Sequence, residues 1–93
     1  MFKNIPPITD IKTALKIYYN NSELGNKDII ELFGNRSTAT IVRLKKIVKN
    51  EMLKNNILTY GMYKVNTAVA YKVWGIDVDD LENRMKKLKE LAL

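Results

Sequence analysis

Residues 27–48 read KDIIELFGNRSTATIVRLKKIV, and this run decides how the chain is organised. Ile29, Ile30, Leu32 and Phe33 supply apolar contacts at helical spacing, Asn26 stands where an N-cap is expected, and Asp28 lies where the helix dipole favours a carboxylate. The spacing predicts a short helix from Lys27 to Phe33, stopped by Gly34, a residue suited to a left-handed position. A few residues later a longer helix begins near Ser37 or Thr38 and runs to about Lys54. Its buried face carries Ile41, Leu44, Ile47, Val48 and Met52.

Upstream, Ile11, Ala14, Leu15 and Tyr18 recur at three- and four-residue spacing after Thr9, a candidate N-cap, and predict a first helix over 10–20 that Asn20, Asn21 and Gly25 break. Downstream, Ile57–Tyr60 and Met62–Val65 are β-prone runs around Gly61, which fit either a small hairpin or an irregular connection. Asn66 or Thr67 then caps a helix whose Val69, Ala70, Val73 and Trp74 share a face, and Gly75-Ile76 has the pattern of a glycine-terminated end. A fifth helix starts near Asp77. Its Asp77, Asp79, Asp80 and Glu82 precede Lys86, Lys87 and Lys89, the order the helix dipole favours, and the spacing lacks the glycine and terminal glutamate of a calcium loop. No metal site is expected.

The chain of 93 residues, with 46% hydrophobic and 28% charged residues, has the size and composition of one small folded domain. It has no Cys and no His, which excludes disulfides, thiolate or imidazole metal sites and Ser-His-Asp chemistry. Ser22 and Ser37 have no imidazole to activate them, and the four glycines are isolated. A binding protein without cofactor is therefore expected rather than an enzyme. No stretch is apolar enough to span a bilayer, and Met1–Asp10 carries two prolines where an export signal needs an apolar run, so a cytoplasmic location with no membrane partner is expected. The net charge of +6 is unevenly spread. Residues 1–34 are neutral, residues 35–75 hold eight Lys and Arg against Glu51 alone, and residues 76–93 hold four against five acids. The excess in the middle segment suits a surface that meets a polyanion.

The short helix, glycine turn and longer basic helix of 27–48 resemble the helix-turn-helix of bacterial, phage and mobile-element DNA-binding regulators. The match rests on Ile29-Ile30, Leu32-Phe33, Gly34 and Arg36-Ser37-Thr38, about a quarter of the chain. The turn is one residue shorter than the common spacing and Asn35 stands where a buried aliphatic is usual, which favours the winged-helix variant. The resemblance implies a mainly α fold: a winged-helix-like three-helix core with a short hairpin over 57–65, in a DNA-binding domain of residues 1–76, followed by a C-terminal dimerisation helix over 77–93.

A B-form major groove admits one α-helix. On the third helix Arg36, Thr40, Arg43, Lys46 and Asn50 form a polar stripe opposite Ile41, Leu44 and Val48. Asn35, Arg36, Ser37, Thr38 and Thr40 are the candidates for base edges or flanking phosphates, and Arg43 can reach a guanine with two hydrogen bonds. Lys45, Lys46 and Lys49 are phosphate candidates, joined by Lys64 if 57–65 forms a wing. Tyr60, Tyr63 and Tyr71 interleave with Lys64 and Lys72, an arrangement open to core packing or to stacking on single-stranded bases. Trp74 is read as core. In the last helix Val78, Leu81, Met85, Leu88 and Ala92 form a seam that meets either a second copy or the first helix and Trp74. The expected function is sequence-specific binding of double-stranded DNA by a homodimer, as a transcriptional regulator or mobile-element accessory factor. The rival is a protein-interaction adaptor or antirepressor.

Overall fold

A computed structural model describes residues 5–92; the expectations that touch residues 1–4 or Leu93 lie outside them. The chain is mainly helical, with α1 (Ile11–Asn20), β1 (Glu23–Leu24), α2 (Asn26–Phe33), α3 (Thr38–Lys54), β2 (Val65–Asn66), α4 (Thr67–Val73) and α5 (Val78–Leu91). Every helix expected from the sequence is present, with end corrections that have local causes. Asp10, not Thr9, caps α1, because its carboxylate accepts both the Thr13 backbone N–H at 2.7 Å and the Thr13 hydroxyl at 2.8 Å. Asn26 lies inside α2 rather than capping it. Gly25 is the cap residue, and the Asp28 carboxylate reaches back to the Gly25 N–H at 2.9 Å.

The junction between α2 and α3 rests on the last carbonyls of α2, which a helix end leaves without partners of its own. The Ile30 carbonyl accepts from Gly34 N–H, Glu31 from the Thr9 hydroxyl, Leu32 from Thr9 N–H and Phe33 from the Arg36 Nε–H. Gly34 is at φ 83°, ψ 179°, a region essentially restricted to glycine and not the left-handed helical one. This turns the chain so that Ser37 can cap α3, accepting from Thr40 N–H at 3.2 Å.

The helices α3 and α4 end alike. At Asn56 (φ 55°) the N–H groups of Asn56 and Ile57 donate to Leu53 and Met52, and at Gly75 (φ 74°) those of Gly75 and Ile76 donate to Lys72 and Tyr71. Each is a Schellman end with an isoleucine following.

β1 and β2 form an antiparallel pair in the register Glu23↔Asn66 and Leu24↔Val65, and Thr67 N–H extends it to the Ser22 carbonyl. This corrects the hairpin expectation. Residues 57–60 form no strand, and the partner of 65–66 comes from a distant segment that the sequence reading treated as a break. Leu24 and Val65 are both fully buried, so the pairing is fixed by the core as well as by its hydrogen bonds.

The core joins Ala14 and Ile17 of α1, Ile29, Leu32 and Phe33 of α2, Ile41, Leu44, Val48 and Met52 of α3, Ala70 and Tyr71 of α4, Trp74, and Leu81 of α5. Two aromatic groups fasten it. The Trp74 indole N–H donates to the Leu44 carbonyl at 3.1 Å with its ring edge-on to Phe33, and the Tyr71 hydroxyl donates to the Ala14 carbonyl at 2.6 Å. Burial pushes the Tyr71 phenol well up, so it remains a donor across the ordinary pH range. Among the described residues, the Thr67 hydroxyl is the buried side-chain polar group left without a partner.

The N-terminal half of α5 packs on α1, with Leu81 buried, Val78 partly buried and Tyr19 hydrogen-bonded to Glu82. Leu88, Leu91 and Ala92 at its far end are exposed. The five-residue seam of the sequence reading is thereby divided: its first part belongs to the chain's own core. No helix among the described residues is long and apolar enough to cross a membrane.

Gly34→Ala is expected to cost about 1–3 kcal/mol, because its φ, ψ pair excludes a Cβ. Gly75→Ala, with open space around the added Cβ, should cost only about 1 kcal/mol. Urea unfolding of both variants checks the order. The hydrogen bonds from Thr13 hold the Asp10 carboxyl below its ordinary value of 3.8. Its contribution is complete above the ordinary value and is lost as pH falls through the lowered one. Asp10→Asn keeps a capping side chain and removes the titration, so the melting temperature of the variant should fall less steeply on acidification than that of the parent.

Candidate nucleic-acid interface

Adjacent residues on an α-helix lie about 100° apart, so once Ile41, Leu44, Val48 and Met52 face the core the outward positions of α3 are decided. Ala39, Val42, Lys46, Lys49, Asn50 and Leu53 are the exposed line. The polar stripe expected from the sequence is therefore corrected at two places. Thr40 and Arg43 are half-buried on the shoulder of the helix, while Val42, at 57% exposure, stands further out than either. Ile41-Val42 and Met52-Leu53 are adjacent apolar pairs of which Ile41 and Met52 are buried and Val42 and Leu53 exposed, a division that the spacing alone did not settle, since the adjacent Leu32 and Phe33 of α2 are both buried.

The residues leading into α3 are committed to local structure. The Arg36 side chain, though exposed, caps α2 through the Phe33 carbonyl at 3.1 Å. The Ser37 and Thr40 hydroxyls are 2.9 Å apart and hydrogen-bonded. Asn35 and Thr38 are exposed beside them. The expected base-reading group is thus divided: Asn35 and Thr38 face solvent, and Arg36, Ser37 and Thr40 build the turn.

The lysines behave differently from one another. Lys45 turns from the outward line toward α2 and donates to the Asn26 carboxamide oxygen at 3.0 Å. Its ammonium is held below the ordinary lysine value, first by burial and then by the charge of Lys49. Lys46 and Lys49 are exposed along the outward face. Lys64 lies across Gly25, with its Cε about 3.8 Å from where a Cβ would stand. Lys49 and Lys64 line the same groove, between the C-terminal part of α3 and the 57–64 loop. Lys45, Lys49 and Lys64 therefore gather on the flank of α3 that faces the start of α2 and the loop.

That loop is built without strand pairing at 57–60. The Glu23 carboxylate accepts the backbone N–H groups of Tyr60 at 2.6 Å and Gly61 at 2.8 Å, and Lys64 N–H closes a turn on the Gly61 carbonyl at 3.3 Å. A Cβ on Gly61 would lie 2.6 Å from Lys64 Cδ and 3.1 Å from Glu23 Oε1, so only glycine fits while both contacts stand. The sequence reading missed Glu23. Of the aromatic residues it left open, Tyr71 is core, and Tyr60 and Tyr63 are exposed.

The acidic stretch after Gly75 is accounted for locally. Asp77 caps α5 through Asp80 N–H at 3.1 Å, and Asp80 pairs with Arg84 at 2.9 Å. Among the described residues no group of three or more potential metal ligands comes together.

No protein-family model, curated protein or solved structure matches this chain.

Proposed function

We propose that the chain is a helix-turn-helix protein of the winged type that binds double-stranded DNA, with α2 and α3 as the two helices, α3 in the major groove and the 57–64 loop as the wing. One observation carries the reading: residues 35–64, with seven Lys and Arg against Glu51 alone, fold into α3, the turn before it and the loop beside it, with Lys46, Lys49 and Lys64 exposed. Such a surface neutralises phosphates and releases counterions. The order α1, β1, α2, α3, β2 supports it, since β1 and β2 hold the loop next to the basic helix. Asn35, Thr38 and the exposed Val42 face solvent at the leading part of α3, where base edges and thymine methyls are read. Lys46, Lys49 and Lys64 are assigned to phosphates. A role as a small transcriptional regulator or mobile-element accessory factor accords with this reading.

The exposed Leu88, Leu91 and Ala92, with Met85, are the part of α5 left to meet a second copy, and we assign dimerisation to them. Val78 and Leu81 support that helix from within the chain.

Fluorescence anisotropy against duplex DNA at several salt concentrations tests the binding. With Lys46, Lys49 and Lys64 engaged in each subunit, a dimer should give a log–log slope of about −5; salt-independent binding, or none, overturns the proposal. Lys49→Ala should weaken binding equally on all sequences, whereas Asn35→Ala should relax the sequence preference. Sedimentation tests the dimer. Leu88→Lys combined with Leu91→Lys is expected to convert a dimer mass to a monomer mass, and a parent protein that already sediments as a monomer overturns the assignment.

A further inference from the structure

We propose that the 58–63 loop is an apolar wedge that holds unstacked bases of the DNA gripped by α3; the inference rests on the duplex-binding reading above. Leu58, Tyr60, Met62 and Tyr63 are 85%, 102%, 78% and 72% exposed, and Leu53 on the adjoining turn of α3 is 72% exposed. Large apolar side chains gathered in water mark an interaction surface. The backbone that carries them is fastened. Glu23 holds Tyr60 and Gly61 from behind, the Thr59 hydroxyl donates to the Gly61 carbonyl, and the Gly61–Lys64 turn sets Tyr63 at φ 66°. That is a strained value for an aromatic residue, and such strain persists where the surroundings impose it. The loop therefore presents its side chains to solvent on a defined frame.

The chemistry around the loop selects the occupant. Lys49 and Lys64 border the groove between loop and α3, and among the described residues that line it none is acidic. The Tyr60 and Gly61 N–H groups already have Glu23, so at these positions the loop offers no open edge on which an extended peptide could add as a strand. What remains is aromatic faces beside ammonium groups, the combination that stacks bases while neutralising their phosphates. The place is also right for a duplex. Lys49 belongs both to this groove and to the outward line of α3, so one strand can pass from the helix to the loop. Apolar side chains inserted at a base step unstack it and bend the duplex, most readily where pairing is already weak.

The test uses two short duplexes of one sequence, one fully paired and one with a central mismatch, each with 2-aminopurine beside the centre. Anisotropy reads affinity, and 2-aminopurine emission rises on unstacking. The parent protein is expected to bind the mismatched duplex about fivefold more tightly or better, with a rise in emission. Tyr60→Ala combined with Met62→Ala should bring the two affinities together and abolish the rise, whereas Tyr60→Phe, which keeps the stacking face, should preserve both. Lys46→Ala should weaken both duplexes alike and leave the emission change intact. Circular dichroism confirms that each variant is folded. Equal affinities in the parent, or a double variant that behaves as the parent, overturn the wedge and leave the loop as a surface for protein. Failure to bind either duplex overturns the duplex reading and the wedge together.

Discussion

The indole of Trp74 meets α3 at the Leu44 carbonyl while its ring lies edge-on to Phe33, 5.2 Å away between centroids. This contact binds the end of α4 to the middle of α3 and the last residue of α2. It determines which side of α3 is inside, since Leu44, Ile41 and Val48 must face the same aromatic body. The direction of Lys46, Lys49 and Asn50 follows. An outward basic face is thus a packing result: the cations occupy the positions that the core leaves over.

Electrostatics alone disfavours that arrangement. Arg43, Lys45, Lys46, Lys49 and Lys54 share α3 with a single acid, Glu51, whose carboxylate lies 4.0 Å from Lys54. Surface pairs of that kind contribute little. The helix is stable because its apolar face is buried against three other elements. At Lys45 burial, and after it the charge of Lys49, weakens the hold on the proton. A polyanion laid along this face would reverse the sign of the neighbouring charge. On the proposed reading, the field that opposes folding is the field that favours binding.

Helix positions were legible in the sequence because period and punctuation agree. Gly34, Ser37, Asn66 and Gly75 each mark an end in the structure, and Trp74 is core as read. What was not legible depends on pairs far apart in the chain. A two-residue strand at Glu23–Leu24 has no period to detect, and its partner lies 42 residues on. Glu23 reads as an ordinary surface acid until the loop folds over it, and Arg36 reads as a base-contacting cation until its Nε–H is seen to donate to the Phe33 carbonyl. In α5 the heptad spacing marked the apolar side correctly but carried no information on how far α1 extends beside it. The division between Leu81, inside, and Leu88, outside, comes from the length of a different helix.

The short ladder between β1 and β2 has a consequence for how the chain comes to be folded. Leu24 and Val65 complete one another, and Trp74 completes the layer between α2 and α3, so the segment up to Lys54 has a core with its lid missing. Without the residues that follow, the first three helices lack the Trp74 cover over Phe33 and Leu44. Cooperative closure of that core therefore waits for the residues through Ile76. The described core thus closes all at once rather than element by element.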